Sequence, residues 1–290
     1  MQQRRLSMGI SDLHMHSSAS YDCFTSIWDM CERAAALGLE AVAFTEHVEL
    51  NPEEFPRNPF DYHKARETWE KVQEAYRGTL VVLFGAEVTY WPHLEDEIGR
   101  YLEDHPFDIV MGSVHQAPVI DFWHERNARI VKANPGMARE ALKVYLSHTE
   151  KLASSGLFDV VGHFGVYERR MPGIWPEIFG DEELEPLLIS ALEAIVQNSR
   201  LEVNAAVLHK PGHFPAPRVE VLKLYREMGG LPPVFGSDAH HAPAVGANWH
   251  MAREVVRQAG FSDFAHWSEV LNPNGPSYRA VQQGTLGKLS

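Results

Sequence analysis

Residues 8–16 read MGISDLHMH, a short apolar run that ends in three polar side chains, Asp12, His14 and His16. The run predicts a strand over Met8–Leu13, and the segment Ser26–Leu37 downstream predicts a helix. A doubly wound nucleotide-binding sheet usually carries G-x-G-x-x-G directly after its first strand. An aspartate and two histidines stand there instead, which counts against that fold.

The same order of apolar run and helix-period segment continues along the chain. Further strands are predicted over Ala41–Phe44, Leu80–Val88, Asp108–Val114, Phe158–Gly162, Leu201–Asn204 and Pro233–Gly236. Further helices are predicted over Tyr62–Tyr76, Leu94–Leu102, Pro135–Ala153, Glu183–Gln197, Arg218–Met228 and Met251–Ala259, with a long loop before Asn134. Strands and helices that alternate in this way form parallel βαβ units. Seven units predict an α/β fold with a closed or nearly closed barrel, and a doubly wound open sheet is the rival.

The composition is typical of a soluble globular protein, with 44% hydrophobic and 22% charged residues. We expect residues 1–290 to form a single domain, with a core over about residues 8–271 and a tail over 272–290. Apolar runs are far shorter than the ~20 residues that cross a bilayer. Cys23 and Cys31 are the only cysteines, which indicates a reducing cytoplasm rather than a disulfide framework.

The formal net charge of −13 argues against a nucleic-acid partner, because no basic stretch compensates for it. A small anionic substrate stays open, since a metal ion can reverse the local charge. We therefore expect a small-molecule partner, without nucleic acid or membrane, and leave a homo-oligomer open.

Imidazole and carboxylate groups stand at the ends of the predicted strands. They include His14, His16, Glu46, His47, Glu87, His115, His163, Asp238 and His240. In a β/α barrel the carboxyl ends of the strands meet on one face, where active sites lie. Several carboxylates in one place would repel one another without cations, and these donors suit zinc, iron and manganese. The sequence therefore predicts a metal site at this face.

Local spacing supports that prediction. Residues two apart on an extended backbone point to the same side, so His14 and His16 can bind one ion. Asp238 and His240 repeat the spacing at the last strand. Glu87 is central and has two carboxylate oxygens, which suits it to bridge two ions.

These motifs, in this order, resemble those of the PHP (polymerase and histidinol phosphatase) superfamily. They are Asp12-x-His14-x-His16, Thr45-Glu46-His47, Glu87, Ser113-Val114-His115, Gly162-His163 and Ser237-Asp238-Ala239-His240. Segments 107–115, 155–158 and 201–206 are most similar to monofunctional histidinol-phosphate phosphatases. The resemblance runs from about Ser11 to Gly246 and implies a distorted seven-stranded (β/α)7 TIM-like barrel with three divalent metal ions.

Position by position, the resemblance also implies the ligands of each ion. They are His14, His16, Glu87 and Asp238 for the first, Glu87, His115 and His163 for the second, and Asp22, His47 and His240 for the third. Asp22 has a competing interpretation, as an acidic residue at the N-terminus of the helix that begins near Ser26.

The implied activity is hydrolysis of L-histidinol phosphate to L-histidinol and phosphate, a step of histidine biosynthesis. A hydroxide between the ions that Glu87 bridges would attack the phosphorus, and we expect Glu87, His115 and Asp238 to be catalytic. Candidate phosphate-binding residues are Arg169, Arg170, Lys210, His209 and His241. The two arginines are favoured, because a guanidinium group matches phosphate oxygens.

Three positions depart from the histidinol phosphatases. These commonly carry arginine where His209 and His241 stand, and aspartate where Gly165 follows Phe164. The alternative is therefore a related phosphatase or phosphodiesterase that acts on another small phosphate ester or nucleotide. An amidohydrolase would share the barrel and the H-x-H pair, but that class typically uses a carboxylated lysine where Glu87 stands. A structural zinc site has four ligands and no open position. More candidate ligands than four lie at this face, which counts against a purely structural site.

Overall fold

The computed structural model of the protein describes most of the chain. The described residues are 9–52, 60–117, 120–122, 125–170, 173, 175–210, 212–275 and 277, without the side chains at 121, 125, 126, 128 and 170. Its strands are β1 Ser11–Met15, β2 Ala41–Val48, β3 Val81–Thr89, β4 Ile109–Ser113, β5 Gln116–Ala117, β6 Ile120–Asp121, β7 Val160–Val161, β8 Arg200–Asn204 and β9 Val234–Gly236.

Seven of these strands form one parallel sheet, in the order β1-β2-β3-β4-β7-β8-β9. Backbone hydrogen bonds connect the first strand to the residues after the last. His16 N–H donates to Ala239 O (2.9 Å), and Asp238 N–H donates to His14 O (2.8 Å). The sheet is thus a nearly closed barrel, and the predicted seven-stranded α/β TIM-like fold is confirmed.

Helices cover the outside of the barrel. They are α1 Ile27–Leu37, α2 Tyr62–Ala75, α3 Glu95–Asp104, α4 Glu125–Ala133, α5 Pro135–Ser154, α6 Tyr167–Arg170, α7 Leu184–Asn198, α8 Val219–Glu227 and α9 Trp249–Gln258. Outward-facing strand residues such as Phe44, Phe84 and Leu201 belong to the large hydrophobic core under these helices. That burial on the outer face explains why the strands are apolar runs in the sequence.

A second hydrophobic cluster fills the inside of the barrel, with members that include Leu13, Leu83 and Met111. In β1 the pairing shifts, because Asp12 lies opposite Val42 whereas Met15 lies opposite Phe44. The shift is a β-bulge, which changes the direction of side chains. Leu13 therefore packs in the interior, and His14 still reaches the mouth of the barrel.

The opposite end of the barrel is closed by the chain after α9. Trp267, Val270 and Leu271 belong to the interior cluster. The Asn272 N–H donates to Asp108 O (2.7 Å), and the Ser277 hydroxyl donates to the Asp108 carboxylate (2.8 Å). The described start of the predicted tail is thus bonded to the barrel, and the division into a core and a tail stays a prediction.

The sequence-based prediction of a long loop before Asn134 was wrong. The hairpin of β5 and β6 and the helix α4 lie in that segment, and the short helix α6 was also not predicted. Two-residue strands and a four-residue helix are too short to show hydrophobic periodicity. Within the described ranges, no helix combines the length and the apolar character that crossing a membrane requires.

Candidate metal centre

The nine candidate ligands lie together at the carboxyl-terminal mouth of the barrel. Eight lie in or just after barrel strands, and the ninth, Asp22, lies between β1 and α1. Ser26 rather than Asp22 caps α1, since its hydroxyl accepts the Asp29 N–H (3.2 Å). The Asp22 carboxylate instead lies 3.4 Å from His47 Nε2 and 3.2 Å from His240 Nε2.

Glu87 occupies the centre of the site and is 1% exposed. Its Oε1 lies 2.7 Å from His163 Nε2 and 3.2 Å from His115 Nε2. Its Oε2 lies 3.1 Å from His47 Nδ1 and 3.5 Å from His14 Nε2. The two oxygens thus face separate groups of imidazoles, as a carboxylate that bridges two cations would.

The donor atoms of the first predicted set lie around His14 and His16. His14 Nε2 and His16 Nε2 are 3.2 Å apart, and Glu87 Oε2 lies 3.5 and 3.6 Å from them. Asp238 Oδ1 lies 3.8 and 3.6 Å from the same nitrogens. Zinc bonds of ~2.0–2.1 Å in a tetrahedron place ligand atoms about 3.3 Å apart. The separations among the donor atoms of His14, His16 and Glu87 are close to this value, and Asp238 approaches the same two histidines.

The second predicted set also converges, and two members of the third lie in a group with His16. Donor atoms of Glu87, His115 and His163 all lie within 4.8 Å of one another, and so do those of His16, His47 and His240. His16 and His47 stack with ring centroids 4.1 Å apart. The third group thus contains the predicted His47 and His240 and places His16 beside them.

Neighbouring oxygen atoms orient the imidazoles from behind. The Ser20 hydroxyl donates its hydrogen to Glu46 Oε2 (2.6 Å), so it accepts from His16 Nδ1–H (3.3 Å). A proton on Nδ1 leaves the lone pair of His16 Nε2 directed into the site. Thr89 Oγ1 lies 2.9 Å from His115 Nδ1 in the same way. Such contacts behind the ligand are usual for metal-binding histidines.

The sequence analysis missed Glu202, which is fully buried in β8 and lies 2.8 Å from His14 Nδ1 through Oε1. It also assigned no function to Ser20 or Thr89, and it placed Glu46 at the metal-binding face without naming it as a ligand. One pattern would have identified Glu202. It lies two residues before Asn204, and alternate residues of a strand share a face, so it points into the same mouth.

The electrostatics of the site favour positive charge. Burial would raise the pKa of Glu87, but the imidazole of His14 holds it well below its usual range. Burial likewise opposes ionisation of Asp238, and the guanidinium of Arg169 keeps the pKa of Asp238 well below normal. Burial would lower the pKa of His14, yet the carboxylates of Glu202 and Glu87 raise it well above normal. Bound cations would supply the positive charge that these groups stabilise.

Two of the candidate ligands have left-handed backbone conformations, with φ of 26° at His163 and 53° at Asp238. Such conformations cost on the order of 1–3 kcal/mol each in a residue other than glycine, and they concentrate at functional sites. Hydrogen bonds hold both, because His163 N–H donates to Glu202 Oε2 (2.6 Å) and Asp238 N–H donates to His14 O (2.8 Å). The fold therefore maintains this strain at two strand ends of the mouth.

The predicted phosphate-binding residues separate into two groups. Arg169 lies at the site, where its guanidinium donates to Asp238 Oδ2. His209, Lys210 and His241 are exposed, and His209 Nδ1 lies 3.4 Å from Asn248 Nδ2. The side chain of Arg170 lies outside the described residues. Their function in substrate binding stays a prediction.

Comparison with known proteins identifies the family. A family model described as PHP domain matches residues 12–206, which is more than half of the chain. The chain belongs to the PHP domain family, as its motifs predicted.

Curated relatives match most of the chain. The histidinol-phosphatase of Lactococcus lactis is 26% identical over 268 residues, which cover 89% of this chain and 94% of that protein. The histidinol-phosphatase of Bacillus subtilis is 26% identical over 256 residues, which cover 81% of this chain and 95% of that protein.

Solved structures share the fold. A crystal structure of Lactococcus lactis histidinol phosphate phosphatase, complexed with zinc, L-histidinol and phosphate, matches with a TM-score of 0.68 and 22% identity. The match covers 89% of this chain and 96% of that one. A Listeria monocytogenes structure matches with a TM-score of 0.73 and 18% identity, over 83% of this chain and 99% of that one.

Proposed function

We propose that the protein is a metal-dependent phosphatase that hydrolyses L-histidinol phosphate to L-histidinol and phosphate. The Glu87 carboxylate carries the proposal, because its two oxygens face two groups of imidazoles and would hold two ions side by side. Relatives that match most of the chain are named histidinol-phosphatases. The Lactococcus lactis structure contains L-histidinol and phosphate, the two products of this reaction, together with zinc.

Three divalent ions would occupy the mouth of the barrel. Their ligands would be His14, His16, Glu87 and Asp238 for the first, Glu87, His115 and His163 for the second, and Asp22, His47 and His240 for the third. Zinc is the first choice, and iron and manganese suit the same donors. When bound, such ions supply an acidified water and neutralise charge on phosphate oxygens.

The chain's own residues would position the reacting groups. Glu87, His115 and Asp238 would face the phosphoryl group. The Ser113 hydroxyl donates to Glu87 Oε1 (2.7 Å), and Thr89 Oγ1 lies 2.9 Å from His115 Nδ1. These contacts limit rotation of both side chains, so that their donor atoms stay directed at the substrate.

Arg169 is the cation best placed to bind the phosphate. Its side chain is 14% exposed, and it is ion-paired with Asp238. A guanidinium group has five N–H donors, so Arg169 can contact Asp238 and a phosphate oxygen at once. Arg170, Lys210, His209 and His241 remain further candidates.

A second candidate function keeps this centre and changes the substrate. His209 and His241 are exposed where histidinol phosphatases commonly carry arginine. A pocket with fewer permanent cations would favour another small phosphate ester or a nucleotide. In either case we propose a small phosphorylated substrate, no nucleic-acid or membrane partner, a cytoplasmic location and, as an open option, a homo-oligomer.

Phosphate release from a substrate panel tests the proposal. The panel contains histidinol phosphate, several sugar phosphates, mononucleotides and a nucleotide diester, each assayed with zinc or manganese and with or without a chelator. We expect preference for histidinol phosphate and loss of activity on chelation. Activity on the other esters alone would favour the second function, and turnover that survives complete metal removal would refute both.

A further inference from the structure

We infer that Glu202 is a positioning residue that holds two candidate ligands of different ions, His14 and His163, through one carboxylate. The inference rests on the metal centre of the proposed function. Glu202 lies in β8, whose strand end supplies none of the nine candidate ligands. Its side chain is 0% exposed, so every contact that it makes is inside the protein.

The first contact orients His14. Glu202 Oε1 lies 2.8 Å from His14 Nδ1. An ionised carboxylate can only accept hydrogen bonds, so Nδ1 carries a hydrogen and Nε2 is the nitrogen that would offer its lone pair to a bound ion. Carboxylate–histidine pairs of this kind fix the tautomer and increase the basicity of a metal ligand.

The second contact holds the backbone of His163. Glu202 Oε2 accepts the His163 N–H at 2.6 Å, at a residue whose φ is 26°. Left-handed backbone persists only where its surroundings stabilise it. Because His163 Nε2 lies 2.7 Å from Glu87 Oε1, the backbone that Glu202 holds determines where that imidazole meets the bridging carboxylate.

Both contacts require a carboxylate. The donors are on different elements, β1 and the turn after β7, and each takes a separate oxygen of Glu202. The Asn204 amide donates to the same Oε1 (3.1 Å). Glutamine has one acceptor oxygen, so it can serve either His14 or His163 but not both.

The neighbouring strand leaves room for this arrangement. A Cβ atom at Gly236 in β9 would lie 1.8 Å from Glu202 Oε1 and 2.7 Å from the His14 Cβ. Glycine at this position therefore lets the carboxylate and the imidazole meet. The contact between Glu202 and His14 therefore depends on the absence of a side chain at position 236.

Zinc affinity tests the inference without depending on turnover. Wild type, Glu202→Gln and a control, Asp108→Asn, are stripped of metal and titrated with zinc against a chromophoric chelator. Asp108 is a matched control, because it is also fully buried and accepts backbone N–H groups, from Phe84 (2.9 Å) and Ser277, at the opposite end of the barrel. We expect Glu202→Gln to bind at least one zinc ion about 10–100-fold more weakly, and Asp108→Asn to match wild type.

A second variant covers the case in which Glu202→Gln does not fold. Glu202→Asp keeps the charge and both acceptor oxygens but is one methylene shorter, so it should weaken zinc binding in the same direction. Circular dichroism establishes that each variant is folded. Unchanged zinc affinity in a folded variant, or equal weakening in the Asp108→Asn control, would overturn the inference. Failure of wild type to bind zinc would instead refute the metal centre itself.

Discussion

Replacing Glu87 by glutamine separates a bridging carboxylate from a structural one. The side chain keeps its shape, but one oxygen becomes an NH2 group without a lone pair for a metal ion. If the remaining oxygen serves His115 and His163, the NH2 group faces His14 and His47, which lie 3.5 and 3.1 Å from the present Oε2. In the opposite orientation the NH2 group faces His115 and His163 instead. Either way, one ion loses a ligand.

The expected magnitude follows from the charge that is lost. An ion beside the phosphoryl group stabilises transition-state charge at least as well as a hydrogen-bond donor does. Loss of one such donor costs about 3–4 kcal/mol, or 10²–10³-fold in kcat. We therefore expect Glu87→Gln to bind at least one zinc ion fewer per chain than wild type. Its kcat should fall by at least about 10²–10³-fold.

Two measurements on the same preparation check this prediction. Zinc per chain is measured by elemental analysis after gel filtration, and kcat is measured by phosphate release from histidinol phosphate. Asp108→Asn again controls for the loss of a buried carboxylate, and circular dichroism checks folding. A folded Glu87→Gln variant with the zinc content and kcat of wild type would refute the bridging function.

Three further predictions concern metal, substrate and pH. Saturating zinc at about 100 times its Kd adds about 2.7 kcal/mol of stability per site. With an unfolding entropy of about 2.1 cal/mol/K per residue over 290 residues, chelation should lower Tm by about 4–5 °C per ion removed in a calorimetric scan; an unchanged Tm would contradict a metal centre built into the fold. Arg169→Met removes a charge-assisted hydrogen bond of about 1.5–3 kcal/mol, so kcat/KM should fall about 10–100-fold. The control Arg139→Met breaks an ion pair with Asp181 elsewhere and should leave kcat/KM unchanged. Equal kcat/KM values for both variants would exclude Arg169 from substrate binding. Burial raises the pKa of Asp108 from 3.8 to about 6, so the native state binds this proton more tightly than the unfolded chain. That stabilisation, about 3 kcal/mol, is present below about pH 4 and is lost as the pH rises through about 6. In urea unfolding of metal-free protein, the free energy of unfolding of Asp108→Asn relative to wild type should therefore increase from pH 4 to pH 7. If the difference between the two proteins stays the same over this range, the pKa of Asp108 is not raised in the native state.

The positions of the barrel strands were predictable from local sequence. Strands covered by helices on one face and packed against the interior on the other are apolar along their length, as Val81–Thr89 shows. The two-residue strands of the hairpin and the four-residue helix α6 were not predicted, because hydrophobic periodicity needs a longer segment. The bulge in β1 was also not predictable, since it depends on how β1 pairs with β2.

By itself, the sequence determined which residues can take part in the chemistry. Residue type and position at strand ends are local properties, and barrel topology brings strand ends to one face whatever the helices between them contain. This is why His14, His163 and Asp238 could be predicted as candidate ligands without coordinates.

Only the tertiary structure decided how those residues are held. Glu202 meets His14 across 188 residues of sequence, and Arg169 meets Asp238 across 69. The first contact exists because the sheet curls until its first and last strands adjoin, and the second because the ends of β7 and β9 lie on the same face of the sheet. Closure of the barrel also divides the oxygens of Glu87 between two groups of imidazoles. Periodicity along the chain contains no information about these distances, since they depend on the register and curvature of the whole sheet.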